Sequence, residues 1–350
     1  MHMSDVLLSP AVGGVMTAVG AGAIGYSAKK ISRGPDAEAN DKPIPMMAVM
    51  GAFVFAGQMV NFTIPGTGSS GHIGGGILLA ALLGPFPALL TLAAVLLIQC
   101  LFFADGGLLA YGANVFNMGV CACLLAYPIV YKPLAKNGLN KKSITIASVA
   151  ASVIGLQLGA FCVVLETVLS GVTELPFGAF ALLMQPIHLA IGLVEGLVTA
   201  AVLCFVHSAR PELLEGGTPP ALGPNSAERK FRKTPALIAV LAAAALVIAC
   251  GVSLLASAFP DGLEWSIENV TAADIQRSGG VYDAASGLVD ATAFMPDYGF
   301  AGAEEGSALG TSAAGLIGSA ITVIIAGGIG FIIHRVRNTR AKPAPGLGRH

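Results

Sequence analysis

The sequence predicts an all-α fold, a polytopic transmembrane helical bundle of about nine spans in the cell (inner, plasma) membrane, with the N-terminus outside and the C-terminus cytoplasmic. Three observations lead there. Of the 350 residues, 55% are hydrophobic and 11% charged, with a mean hydropathy of +0.77, too apolar for an ordinary soluble domain. Apolar stretches recur along the chain, separated by charged or Pro/Gly-rich connections. Lys and Arg collect in alternate connections, the bias that marks cytoplasmic loops. With nine spans, Arg277 is the one basic residue of 19 left outside.

The spans follow in order. Residues 10–28 form the first, and Gly14, Ala18 and Gly22 recur every fourth position along it. Small residues at that spacing admit another membrane helix closely, either within this chain or from a partner subunit. Lys29, Lys30, Arg33 and Lys42 then mark the inner side. Residues 44–60 return outward to Asn61 and the run Pro65-Gly66-Thr67-Gly68-Ser69-Ser70-Gly71-His72, where Pro and repeated Gly end a helix and permit tight turns. Residues 73–84 are a short Gly-rich span, 88–103 another, and Asp105 lies outside again. Spans 108–131, 143–170 and 179–207 complete a seven-span unit over residues 1–207. A cytoplasmic linker covers 208–234, Pro/Gly-rich in its first part as tethers are. Residues 235–350 carry two spans, 235–258 and 310–333, around an outer segment 259–308 rich in Asp and Glu, including Asp261, Glu264, Asp274, Glu304 and Glu305. Those carboxylates are either ordinary solvated loop groups or a lure for divalent cations. Arg335, Arg337, Arg340 and Lys342 close the chain on the inner side.

Several function classes fall away. A net charge of -1 and the lack of a basic, aromatic patch argue against nucleic acid. The six cysteines sit in or beside apolar stretches and read as small core residues. No phosphate-binding Gly-Lys-Ser/Thr loop, no hydrolytic triad and no cleavable leader are legible, so no enzyme and no bound cofactor are expected.

The chemistry lies at the start. In a chain beginning at Met1, the free α-amine, the backbone nitrogen of His2 and a ring nitrogen of His2 close fused chelate rings about one ion. His72, at the outer mouth, supplies a fourth nitrogen. A tetragonal all-nitrogen site suits Ni(II), Cu(II) and, less strictly, Co(II). An N-terminal Met-His pair also arises by accident, and then the chain is a structural or assembly subunit that binds no metal.

Further polar groups invite a role near such a site. Asp5, Asn61 and Asp105 lie at the outer mouth; Asp5 and Asp105 could each take a proton from a ligand imidazole. His188 and Glu195, seven apart on one face of a span, either orient ligands and line a metal path or form a packing pair, since ionisable groups at membrane depth are costly. Gln58, Gln99, Asn114, Asn117 and Glu166 read as interhelical glue.

Three segments together resemble a known family: Met1-His2-Met3-Ser4-Asp5 to Pro10, Asn61-Phe62-Thr63-Ile64-Pro65-Gly66-Thr67 to His72, and Phe102-Phe103-Ala104-Asp105-Gly106-Gly107. Over residues 1–207 the chain is similar to the substrate-binding membrane component of energy-coupling factor nickel/cobalt transporters. The resemblance implies that Met1, His2 and His72 hold the transported Ni(II) or Co(II). It also implies a transmembrane coupling subunit, docked on the Gly14/Ala18/Gly22 face, and separate cytoplasmic ATPases. Pro260-Asp261-Gly262-Leu263-Glu264 looks like part of the small auxiliary subunit of the same systems, fused here to the binding component.

Overall fold

A computed structural model describes residues 1–33, 43–136, 138–214, 226–271, 275–300 and 307–341. Lys42, Asp274, Glu304, Glu305, Lys342 and residues 215–225 of the linker lie outside the described residues. The helices are α1 (Pro10–Arg33), α2 (Pro43–Gln58), α3 (Gly76–Leu83), α4 (Pro85–Phe103), α5 (Tyr111–Ala135), α6 (Lys141–Ser170), α7 (Phe177–Ala209), α8 (Ser226–Cys250), α9 (Gly262–Val270), α10 (Val281–Thr292) and α11 (Ala308–Ala341). Two short antiparallel strands, β1 (Phe62–Ile64) and β2 (Ser69–Gly71), lie between α2 and α3. The expected polytopic helical bundle is what forms. Among the described residues, seven helices are long and apolar enough to cross a membrane.

Two expected spans are shorter. Residues 44–60 give the 16-residue α2, and 73–84 give α3, only eight residues long. At about 1.5 Å per residue α3 reaches some 12 Å, well short of a bilayer's apolar core of about 30 Å. Glycine sets both of its ends. Gly75 and Gly84 hold φ of 77° and 82°, a left-handed backbone that other residues resist. Pro85 starts α4 directly, so α3 and α4 form a tight hairpin. The stretch before α3 is a β-hairpin rather than open loop, with Phe62 opposite Gly71 and Ile64 opposite Ser69.

The core runs through α2, α4 and α5, whose apolar side chains are largely buried. The outer helices carry exposed large apolar residues such as Leu169, Leu182 and Ile324, as a lipid-facing surface requires. α1 crosses α5 where Gly112 meets the backbone of Met16 and Thr17, with no room for a β-carbon. α8 lies against α2, and α11 against both α2 and α4: Phe55 packs on Phe103 at 5.4 Å between ring centres, with Gly318 of α11 against the edge of Phe55. In its described residues, the segment 259–308 is more than a solvated acidic loop. It holds α9 and α10 and returns to the mouth of the bundle: Tyr282 donates to the carbonyl of Leu8 at 2.7 Å, Thr292 to that of Leu101 at 2.7 Å.

Candidate metal centre

Residues 1–8 thread into the mouth of the bundle because their apolar side chains find cover there, Met3 and Leu8 being fully buried. Asn114 at the start of α5 holds them in place. Its side-chain oxygen accepts from the Met3 amide at 2.7 Å, and its Nδ2 donates to the Met3 carbonyl at 3.0 Å. The Gly107 amide donates to the same carbonyl at 2.9 Å. With both backbone groups of Met3 satisfied, the two residues before it point at the β-hairpin.

There the amino terminus and His72 meet. The Met1 nitrogen lies 3.4 Å from His72 Nε2, and the His2 and His72 rings stack with centres 5.1 Å apart and planes inclined by 22°. His72 Nδ1 donates to the carbonyl of Ile73 at 3.0 Å, which leaves the lone pair of Nε2 facing the amine. His2 Nε2 lies 3.2 Å from Gln99 Oε1, and its Nδ1 lies 3.3 Å from Asp105 Oδ1. Each ring nitrogen of His2 thus faces an acceptor, and the neutral ring has one proton for the two. With that proton on Nε2, toward Gln99, the lone pair on Nδ1 can close a six-membered ring with the His2 amide nitrogen. Burial holds the His2 imidazole below its ordinary pKa. The His72 imidazole is held down by burial first and by the adjacent amino terminus second. Both rings are therefore neutral, the form that binds metal. Among the described residues no group of three or more His, Cys, Asp and Glu is placed to hold an ion, so any first shell here is built on the amine and backbone nitrogens as well.

The remaining sequence candidates separate. Asp105 bridges His2 and the hydroxyl of Tyr298. Asp5 does not face an imidazole. Its carboxylate accepts from the Ala110 amide at 2.9 Å and fixes the turn into α5. Asn61 contributes its backbone carbonyl to the Ser257 amide at 2.8 Å rather than a contact with Met1, His2 or His72. Glu195 accepts from the amides of Gly74 at 2.7 Å and Gly75 at 3.1 Å, so it pins the chain just beyond His72. It does not pair with His188, whose Nδ1 donates to the Met184 carbonyl at 2.8 Å and whose Nε2 is buried without a hydrogen-bond partner. His188 and Glu195 instead line one cavity with Met1, His72, Asn117 and Asp261. Gly14, Ala18 and Gly22 are exposed, with nothing within 4 Å of a β-carbon at Gly14 or Gly22; α1 packs inward through Gly13 and Gly20 instead.

The reading of 259–308 as solvated carboxylates fails for Asp261. Its side chain is 17% exposed, and Oδ2 lies 2.6 Å from the Met1 nitrogen. Although burial opposes ionisation, the amino terminus and its hydrogen bond hold the Asp261 carboxyl well below the usual carboxylate range. Gln99 and Asn114 were legible only as polar residues in spans, and Tyr298 carried no signal at all.

Residues 2–213 match the family described as the cobalt uptake substrate-specific transmembrane region, CbiM. The chain belongs to the CbiM family. Residues 235–335 match the PDGLE domain, so this CbiM chain carries both regions in one polypeptide. A putative fused nickel transport protein of Archaeoglobus fulgidus is 31% identical over 97% of this chain and 100% of its own length. The fused nickel transport protein of Rhodobacter capsulatus is 31% identical over 80% of this chain and 81% of its own. A crystal structure described as a truncated transition metal transporter superposes with a TM-score of 0.51 at 30% identity, covering 59% of this chain and 99% of that one. With its seven long apolar helices, this CbiM member is a multi-pass membrane protein.

Proposed function

We propose that the chain captures Ni(II) or Co(II) outside the cell and passes it inward as the substrate-binding component of an energy-coupling factor transporter. The observation that carries this reading is the meeting of the amino terminus with His72 Nε2 at 3.4 Å, beside the stacked ring of His2. Amine, deprotonated His2 amide, His2 Nδ1 and His72 Nε2 make four nitrogens, a set that favours tetragonal ions. The nickel and cobalt transport proteins among its relatives support the same cargo. Energy then comes from cytoplasmic ATPases through a transmembrane coupling subunit. The exposed Gly14/Ala18/Gly22 stripe of α1 is the surface offered to that subunit, with the N-terminus outside as the basic residues require.

Metal analysis and titration of the purified chain test the reading. One Ni(II) or Co(II) per chain is expected, and it is lost in His2→Ala, in His72→Ala and when one residue is added before Met1. Tight one-to-one binding that survives any one of the three changes refutes the site. A chain with no stoichiometric metal is the structural subunit instead.

A further inference from the structure

Two of the six cysteines face each other across the seam between α5 and α6. The helices approach closely because glycines line α6: a β-carbon at Gly159 would come within 2.4 Å of the Asn117 carbonyl oxygen, and one at Gly155 within 3.4 Å of the Ala122 Cα. Side chains then bridge the seam in register. Asn117 Nδ2 donates to Glu166 at 2.7 Å, and about one turn away the thiols of Cys121 and Cys162 hydrogen-bond to each other. Cys121 follows Asn117 by four residues and Cys162 precedes Glu166 by four, as two helices running in opposite directions require. Cys123, Cys204 and Cys250 instead donate to the backbone carbonyls of Gly76, Lys141 and Ser312. Cys121 is buried, whereas Cys162 is only half-buried, next to the exposed Phe161.

We propose that Cys121 and Cys162 are a redox-active dithiol, a modification site at which a reversible disulfide ties α5 to α6 beneath the amino terminus. The oxidant is a peroxide of the smallest kind, hydrogen peroxide, which is neutral and enters an apolar seam. Half-buried Cys162 is the thiol it reaches. Peroxide transfers one oxygen to that sulfur, giving a sulfenic acid, and its other oxygen leaves as water. The Cys121 sulfur then attacks the oxidised sulfur, the S–S bond forms, and the hydroxyl leaves with the Cys121 proton as a second water. The sulfurs lose two electrons and the peroxide gains them. The new bond lies in the floor of the candidate centre, since Asn117 Nδ2 also meets the Met3 sulfur at 3.6 Å and a β-carbon at Gly159 would come within 3.0 Å of the Met1 methyl. Both cysteines lie nearer the mouth end of their helices, the end that the capture reading puts outside, where thiols are not kept reduced.

Metal-free, full-length chain in detergent is treated with limiting hydrogen peroxide, its free thiols are counted, and its peptides are mapped by mass. Two of the six thiols are expected to disappear, with the peptides holding Cys121 and Cys162 joined, and dithiothreitol is expected to restore both. The melting temperature shifts upward on oxidation, because a crosslink between residues 121 and 162 restricts the unfolded chain. Cys162→Ser loses the crosslink and the shift. Cys121→Ser does the same and stands in if the first variant does not fold. Cys123→Ser, whose thiol faces Gly76, keeps both. Six thiols retained under peroxide that oxidises free dithiothreitol overturn the proposal, as does oxidation of Cys162 to the sulfinic acid with no crosslink. A crosslink of the same yield in Cys162→Ser overturns it too.

Discussion

Asn114 holds Met3 by two hydrogen bonds, one to its amide and one from its own Nδ2 to the Met3 carbonyl, at 2.7 and 3.0 Å. One carboxamide thus plays the part of a neighbouring strand across 111 residues of sequence, and it determines where the amino terminus points. The fine geometry of the centre depends on this clamp and on the pinning of His72 from the opposite side.

Asn114→Leu leaves the buried Met3 amide without a partner, at about 1–3 kcal/mol, while the Met3 carbonyl keeps the Gly107 amide. A lower melting temperature is expected, together with Ni(II) affinity weakened by more than tenfold, because the ligand-bearing residues 1 and 2 lose their anchor. Calorimetric melting and isothermal titration of the same preparation check both effects.

Glu195→Gln replaces a group with two acceptor oxygens by one with a single acceptor. One of the Gly74 and Gly75 amides then faces a donor instead of an acceptor, a loss of about 1–3 kcal/mol. His72 sits two residues away on that segment, so metal dissociates faster while the ligand field is unchanged. Stopped-flow release to a chelator, read beside the absorption spectrum of the Ni(II) form, checks this. An altered spectrum would place Glu195 among the ligands.

The metal-free protein is expected to lose stability as pH falls from about 7 to about 5. His2 and His72 have folded values below the ordinary 6.5, so in this window the unfolded chain binds more protons than the native one. Stability is then fully present above about 6.5 and falls below it. Asp261, held below the carboxylate range by the amino terminus against its burial, stays ionised throughout the window. Melting curves at stepped pH, followed through Trp265, should show the decline, and His72→Gln should shallow it.

Two glycines of the α1 region are expected to behave oppositely. Gly112→Val drives a side chain into the backbone of Met16 and Thr17, where neither partner is the end of a flexible side chain. Misfolding or poor detergent-solubilised yield follows. Gly14→Val meets nothing within 4 Å and should leave folding and Ni(II) binding intact while weakening co-purification with the coupling subunit. Size-exclusion profiles and pull-down yields of the two variants distinguish these outcomes.

Read alone, the sequence determined the class and marked the residues of the candidate centre. Its apolar content and the alternation of basic connections required a membrane bundle, because a bilayer admits only segments that satisfy their own backbone. Met1, His2 and His72 stood out because amine, amide and imidazole form chelate rings by covalent proximity, and the Gly-rich run around His72 shows in composition. Tertiary structure decided the rest. That α3 is too short to cross a bilayer, that Asp5 serves the Ala110 amide, that Glu195 holds Gly74 and not His188, and that Asp261 reaches Met1 across 260 positions follow from packing between elements distant in sequence. Local periodicity and residue type carry no information about such pairings, since a carboxylate in a polar outer segment looks the same whether water or a buried amino terminus is its partner.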